Sequence, residues 1–124
     1  MSETILVVDD DRKIREICSI ALKRVGYEVF RAKDAHEALQ IVDSRHVDLA
    51  LLDIVMPEID GIELLGLLKN KNEDLIVIMI TGFPSIETSV KTIKSGAYDY
   101  IIKPFSINDI RGSVKKALEY NKTI

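Results

Sequence analysis

The chain has 124 residues, a length typical of one domain that buries its own hydrophobic core. Its net charge of -3 comes from mixed signs, which argues against a nucleic-acid-binding domain with a basic face. The sequence has no apolar run as long as a membrane span, no signal-peptide pattern and only one cysteine, so we expect a cytoplasmic protein without an internal disulfide.

Apolar runs and helical patterns alternate along the chain. Short runs rich in Val, Ile and Leu predict five buried strands, and between them apolar residues recur at the spacing of amphipathic helices. In chain order, we predict strand 5–8, a helix that starts after Asp10 or Asp11 and ends at Gly26, strand 27–31, a helix capped by Asp34, strand 47–52, helix 62–71, strand 75–80, helix 85–95, strand 98–102 and helix 107–120 capped by Ser106.

The alternation of strands and helices predicts an α/β fold. Buried strands that are joined by helices form a parallel sheet covered on both faces. Because the crossovers in such sheets are right-handed, few arrangements remain. For five strands we expect a doubly wound parallel sheet in the order 2-1-3-4-5.

The first predicted helix carries an apolar stripe that should face the core. The stripe consists of Ile14, Ile17, Cys18, Ala21, Leu22 and Val25. Cys18 is expected to pack in the core. Ile20 falls off the stripe and is therefore a candidate for contact with a partner.

Four of the predicted strands are followed or ended by side chains that can do chemistry. The first leads into Asp9 and Asp10, the third into Asp53, the fourth into Thr81 and the fifth into Lys103. The carboxyl ends of parallel strands lie at one edge of a sheet, where ligands bind in this class of fold. We therefore expect these five side chains to share one site.

Asp53 is the residue that is hardest to explain structurally. It follows an almost unbroken apolar run in the stretch LALLDIVMPEIDG, and burial of a lone carboxylate is costly. A purely structural explanation also exists for each piece: the acids after the first strand are simply helix N-caps, and Lys103 is simply part of a turn. The joint pattern of strand ends favours a functional site over these separate structural explanations.

The set of side chains suits phosphoryl transfer. Three carboxylates repel one another, and a hard cation with oxygen ligands, Mg²⁺, relieves that repulsion. Lys103 supplies a positive charge for an anion, and Thr81 supplies a hydroxyl donor. Asp53 would then attack phosphorus and become an aspartyl phosphate, in a reaction that depends on positioning and charge neutralisation.

Three segments resemble the receiver domain of two-component response regulators, the CheY-like family. They are ILVVDDD, LLDIVMPEIDG and MITGFPSIETSVKTIKSGAYDYIIKPF, and the last is most similar to receivers of NtrC-type regulators. The resemblance covers residues 1–124 as one receiver domain. It implies a CheY-like, flavodoxin-like sheet of the same order.

The resemblance implies a role for each residue at the predicted edge. Asp53 resembles the phosphoacceptor. Asp9 and Asp10 resemble the acids of the magnesium site, and Val55 resembles the residue whose backbone carbonyl completes it. Lys103 resembles the lysine that pairs with the phosphoryl group.

The family pattern also implies a switch. Thr81 resembles the hydroxyl that binds the phosphoryl oxygens, and Tyr100 resembles the aromatic side chain that swings inward when Thr81 moves. Lys103-Pro104 resembles the cis peptide bond of the family.

The implied function is a phosphorylation-dependent switch. A sensor histidine kinase or a phosphotransfer protein would donate the phosphoryl group, and a protein target or a fused output domain would respond. The domain would catalyse only its own phosphorylation and dephosphorylation, with no direct nucleic-acid binding and no membrane contact. The resemblance is also compatible with a homodimer that forms on phosphorylation.

Other functions stay open from the residues alone. A phosphorylation-independent interaction module would be expected to have lost some of the acids, and all are present. Phosphatases of the haloacid dehalogenase type carry a second acid two residues after the nucleophile, where this chain has Val55. Flavin binding is disfavoured by the acids after the first strand, and nucleotide binding by the lack of a P-loop motif.

Overall fold

A computed structural model of the chain describes residues 2–123, with side chains described through residue 120. Within this range, five strands alternate with five helices. The elements are β1 Thr4–Val8, α1 Arg12–Lys23, β2 Glu28–Ala32, α2 Ala35–Ser44, β3 Leu49–Asp53, α3 Gly61–Lys71, β4 Ile76–Thr81, α4 Ile86–Lys94, β5 Asp99–Ile102 and α5 Ile107–Thr123. Every predicted element is present, and its bounds differ from the prediction by a few residues.

The strands form one parallel sheet in the order β2-β1-β3-β4-β5, which confirms the predicted order. The register aligns the carboxyl ends of the inner strands. Val8 of β1 lies opposite Leu52 of β3, and Asp53 lies opposite Ile80 of β4. The residues that follow these strands are thereby brought to the same edge of the sheet.

Two apolar clusters cover the two faces of the sheet. Alternate residues of β3 divide between them, because successive side chains of a strand point to opposite faces. Ala50 and Leu52 join the cluster packed by α2 and α3, whereas Leu49 and Leu51 join the cluster packed by α1 and α5. All four are fully buried, and burial stabilises each large aliphatic side chain by about 1.5–3 kcal/mol.

The helices begin at polar capping residues, and among the predicted caps Asp11, Asp34 and Ser106 are confirmed. Asp11 accepts from the Lys13 N–H at 2.8 Å, and Asp34, Asp60 and Ser85 make equivalent bonds at 2.9–3.0 Å. The first helix is therefore capped by Asp11 and not by Asp10. Each such cap contributes about 1 kcal/mol to the stability of the protein and determines the residue at which the helix begins.

The predicted apolar stripe of α1 is wrong at two positions. Cys18 and Leu22 are fully buried, but Ile17 is 47% exposed and Val25 is 50% exposed. Ile17 lies on the flank of the helix beside the buried stripe. Val25 lies beyond the end of α1, in the turn that Gly26 completes with a φ of +101°. Both side chains consequently remain at the surface.

Ile20 is 54% exposed, as expected for a residue off the stripe.

None of the described helices combines the length and the apolar composition needed to cross a bilayer.

Candidate functional site

Polar side chains, most of them buried, gather at the carboxyl edge of the sheet. Asp9 directly follows β1 and is 1% exposed, and Asp53 ends β3 and is 5% exposed. Thr81, at the end of β4, is 1% exposed, whereas Asp10 is exposed. Lys103 follows β5, and its side chain reaches back across the edge towards β1 and β3.

The three acids and the lysine form one compact group. One oxygen from each of Asp9, Asp10 and Asp53 lies within 4.8 Å of the other two. Lys103 Nζ lies 3.2 Å from Asp9 Oδ2 and 3.6 Å from Asp53 Oδ2. Asp9 Oδ1 accepts a hydrogen bond from the Asp11 N–H at 2.9 Å. The group therefore holds three carboxylates against one ammonium.

The buried carboxyl groups resist ionisation. Burial, and then the charge of Asp9, raise the pKa of Asp53 to about 6, against the opposing effect of Lys103. Burial also raises the pKa of Asp9, although the Asp11 N–H and Lys103 act in the other direction. Burial lowers the pKa of Lys103, but the two carboxylates beside it outweigh that effect and hold its pKa above the usual value.

These donors fit a hard divalent cation. All three are carboxylate oxygens, they already approach one another closely, and one lysine does not balance their charge. Oxygen ligands of this kind suit Mg²⁺. Val55 lies nearby, since its N–H donates to Asp53 Oδ1 at 3.4 Å, and its side chain is 52% exposed.

The loop between β3 and α3 is folded tightly beneath Asp53. The Gly61 N–H donates to the Ile54 carbonyl at 2.8 Å. A Cβ atom at Gly61 would overlap the Asp53 carbonyl oxygen, so only glycine fits. Glu58, in the same loop, has a φ of +67°. Gly61 therefore sets how closely α3 starts behind the acid.

Thr81 and Lys103 are linked through their backbones at the same edge. The Lys103 N–H donates to the Thr81 carbonyl at 2.7 Å, and the Thr81 hydroxyl accepts from the Phe83 N–H at 3.0 Å. Gly82 adjoins the stem of Lys103, because a Cβ placed there would lie 3.8 Å from Lys103 Cδ. The peptide bond between Lys103 and Pro104 is cis.

Tyr100 lies on β5 with its ring packed against the cluster that α2 and α3 cover. Its hydroxyl oxygen is buried and has no hydrogen-bond partner among the described residues. In this structure the side chain thus occupies an inward position.

Arg15 is a contact of the site that sequence reasoning missed. Its Nη1 donates to the backbone carbonyl of Asp9 at 2.7 Å. Long side chains on a helix lean towards its N-terminus, so a basic residue in the second turn after the acids could have suggested this contact.

A comparison with protein families matches the response regulator receiver domain over residues 5–115. The chain belongs to the response regulator receiver family. This assignment confirms the resemblance drawn from the sequence motifs, and it favours neither an aspartyl-nucleophile phosphatase nor a flavin-binding protein.

Individual relatives agree with the family. The regulatory protein AtoC of Escherichia coli K12 is 36% identical over 93% of this chain, which corresponds to 25% of AtoC. A CheY-like receiver structure from Methanospirillum hungatei superposes with a TM-score of 0.95 at 35% identity, over 99% of this chain and 98% of that one. NtrX from Brucella abortus gives a TM-score of 0.94 at 39% identity, over 99% of this chain and 28% of NtrX.

The relatives include NtrC-type regulators, as the sequence predicted. The chain spans from about a quarter to about half the length of the curated relatives that it matches. These curated relatives therefore extend beyond the part that this chain matches.

Proposed function

We propose that this receiver accepts a phosphoryl group on Asp53, in a Mg²⁺-dependent reaction, from a histidine kinase or a phosphotransfer protein. The phosphorylated form then changes its affinity for a protein target or a fused output domain. One observation carries the proposal: a nearly buried carboxylate lies beside two further acids and 3.6 Å from Lys103 Nζ. The three carboxylates of this group carry more negative charge than the one lysine beside them neutralises.

Asp9, Asp10 and Asp53, with the backbone carbonyl of Val55, would hold the Mg²⁺ ion. The bound ion supplies positive charge that neutralises the acids and the oxygens of the phosphoryl group. Asp53, whose pKa is otherwise about 6, would ionise more readily beside that charge. The domain would act as a phosphoacceptor that catalyses only its own phosphorylation and dephosphorylation.

In the transfer step, an ionised oxygen of Asp53 attacks phosphorus. A new O–P bond forms, and the bond from phosphorus to the donor's nitrogen or oxygen breaks as the donor leaves with the electron pair. Lys103 lies close enough to Asp53 to pair with the transferred oxygens. The Thr81 hydroxyl accepts from the Phe83 N–H and can also donate its own hydrogen to them.

The switch is a shift between two conformations that the new charge biases. Reorientation of Thr81 towards the phosphoryl group would move the loop after β4 and favour the inward position of Tyr100. In the inward position the Tyr100 hydroxyl is buried and unpaired, which costs about 1–3 kcal/mol. Without the phosphoryl group, other contacts of Tyr100 have to offset this cost. The affected surface is the face of α4, β5 and α5, where Ile86, Val90 and Ile93 of α4 are exposed.

Intact mass measurement tests the proposal directly. The protein is incubated with acetyl phosphate with and without Mg²⁺, alongside Asp53→Asn. Asp43→Asn is the matched control, because the Asp43 side chain is 60% exposed and pairs with Lys71 away from the site. We expect one phosphoryl adduct on the wild type and on the control, and none without Mg²⁺ or on Asp53→Asn.

Absence of an adduct on a folded, Mg²⁺-binding wild type, with a histidine-kinase donor as well, would contradict the proposal. The protein would then be a phosphorylation-independent interaction module. A homodimer formed on phosphorylation, a cytoplasmic location and the extent of the receiver over residues 1–124 stay predictions.

A further inference from the structure

We infer that Arg15 is a positioning residue for the cation site. Its guanidinium holds the Asp9 backbone carbonyl and thereby fixes where the Asp10 carboxylate lies relative to those of Asp9 and Asp53. The inference rests on the proposed Mg²⁺ site and assigns a role to a residue outside the set of ligands.

The Asp9 residue is held from several directions. Its N–H donates to the Ala32 carbonyl at 3.2 Å, and its side chain accepts from the Asp11 N–H at 2.9 Å and from Lys103 Nζ at 3.2 Å. Arg15 Nη1 adds a bond to the carbonyl at 2.7 Å, which is short and charge-assisted. These contacts fix both ends of Asp9, and among them the Arg15 bond is the one that reaches the peptide unit leading to Asp10.

Asp10 depends on that peptide unit for its position. Its side chain is exposed, and no hydrogen bond from residues 2–120 reaches its carboxylate. The Asp9 carbonyl and the Asp10 nitrogen belong to one rigid plane, because the peptide bond is planar. A bond that holds the carbonyl therefore also fixes the direction in which Asp10 leaves the backbone.

Loss of the bond should loosen the site without removing a ligand. Residues that orient metal ligands through hydrogen bonds typically change metal affinity by about 10–100-fold when they are replaced. The Arg15 N–H bonds to the Asp11 carbonyl at 3.1 Å, so the helix keeps this backbone bond in any variant. Arg, Lys and Met have similar helix propensities, which limits effects on α1 itself.

The same helix provides a matched control. Arg12 is 83% exposed in its side chain and pairs with Glu16 one turn later. Arg12→Met therefore removes a positive charge from α1 three residues before Arg15, but it leaves the Asp9 carbonyl bond intact.

The experiment is calorimetric titration of the metal-free protein with MgCl₂, with no phosphodonor and no partner. We expect Arg15→Met to weaken Mg²⁺ binding by roughly tenfold. Arg15→Lys, which keeps a charged donor, should fall between Arg15→Met and the wild type, and Arg12→Met should match the wild type. Thermal melts without Mg²⁺ verify that each variant is folded.

The outcomes separate the possible roles of Arg15. A purely structural role would lower the melting temperature and leave the Mg²⁺ dissociation constant unchanged, which would overturn the inference. A role in kinase contact would also leave Mg²⁺ binding unchanged and would overturn it. Failure of the wild type to bind Mg²⁺ would overturn both this inference and the proposed function, whereas unchanged binding in Arg15→Met would overturn this inference alone.

Discussion

Asp53 sits at the end of an apolar strand at a cost in stability that its neighbours only partly offset. Burial and the charge of Asp9 both disfavour its ionised form, and one lysine opposes them. A poorly solvated, ionised carboxylate is a stronger nucleophile, and a nearby positive charge stabilises it strongly. This cost is what we expect of a residue that serves the proposed chemistry rather than folding.

Replacement of Asp53 by Asn should stabilise the metal-free protein at neutral pH. The pKa of Asp53 is about 6 in the folded state and near 3.8 in the unfolded state, so the folded state binds the proton more tightly. Wild-type stability should therefore rise as the pH falls from about 7 to about 4. Asn does not titrate, so its advantage should shrink over that range.

Denaturant unfolding at several pH values without Mg²⁺ measures this difference. Asp43→Asn, at an exposed acid, serves as the control. Parallel stability curves for the wild type and Asp53→Asn between pH 4 and 7 would show that the acid carries no such penalty.

The sequence was sufficient to group Asp9, Asp10, Asp53 and Lys103, because parallel strands determine which strand ends meet. It was insufficient for the Arg15 contact and for the buried hydroxyl of Tyr100. Those features depend on side-chain rotamers and on local packing, which apolar periodicity does not encode.

Among the elements, the connection from β3 to α3 controls the position of the acid most directly. Helix α3 starts at Gly61, immediately behind the Asp53 backbone. The approximate helix starts and the caps at Asp34 and Ser106 were predictable from local sequence. The exposure of Ile17 and Val25 was not, because it depends on how α1 is rotated and where it ends.

Gly61→Ala should destabilise the protein, whereas Gly66→Ala in the same helix should not. The added methyl at Gly61 would overlap the Asp53 carbonyl, and overpacking of this kind costs about 1–3 kcal/mol. At Gly66 an added Cβ meets nothing within 4 Å, and alanine is the better helix former by about 1 kcal/mol. We therefore expect changes of opposite sign.

Chemical denaturation of the two variants measures both effects. Phosphorylation of Gly61→Ala by acetyl phosphate should also be slower, because the added methyl pushes against the backbone of Asp53 and of the loop that follows it. Equal stability of the two variants would mean that α3 can shift away from the strand without cost.

On the scale of the whole molecule, the site joins segments that are distant in the chain. Lys103 binds Asp9 across 94 positions, and Asp53 comes from the middle of the sequence. Alternation and handedness leave few topologies for five strands, and the family resemblance selected the order that the structure shows. A ligand at this edge can bind the folded chain but finds no such group in the unfolded one.

Mg²⁺ should therefore raise the melting temperature in proportion to the logarithm of its concentration. At about 100 times the dissociation constant, the expected stabilisation is about 2.7 kcal/mol. Thermal unfolding over a MgCl₂ series, with NaCl at matched ionic strength as the control, measures it. Asp53→Asn should lose most of the effect, and an equal response in NaCl would mean that general screening causes it.

The long span between Asp9 and Lys103 also affects how the chain matures. Lys103 follows the last strand, so the pair can form only after β5 has docked against β4. A chain that is still emerging from the ribosome, or one that has folded only its first half, would have the acids without the lysine. Only a fully synthesised and folded chain would then be able to accept the phosphoryl group, and an incomplete chain would not be phosphorylated.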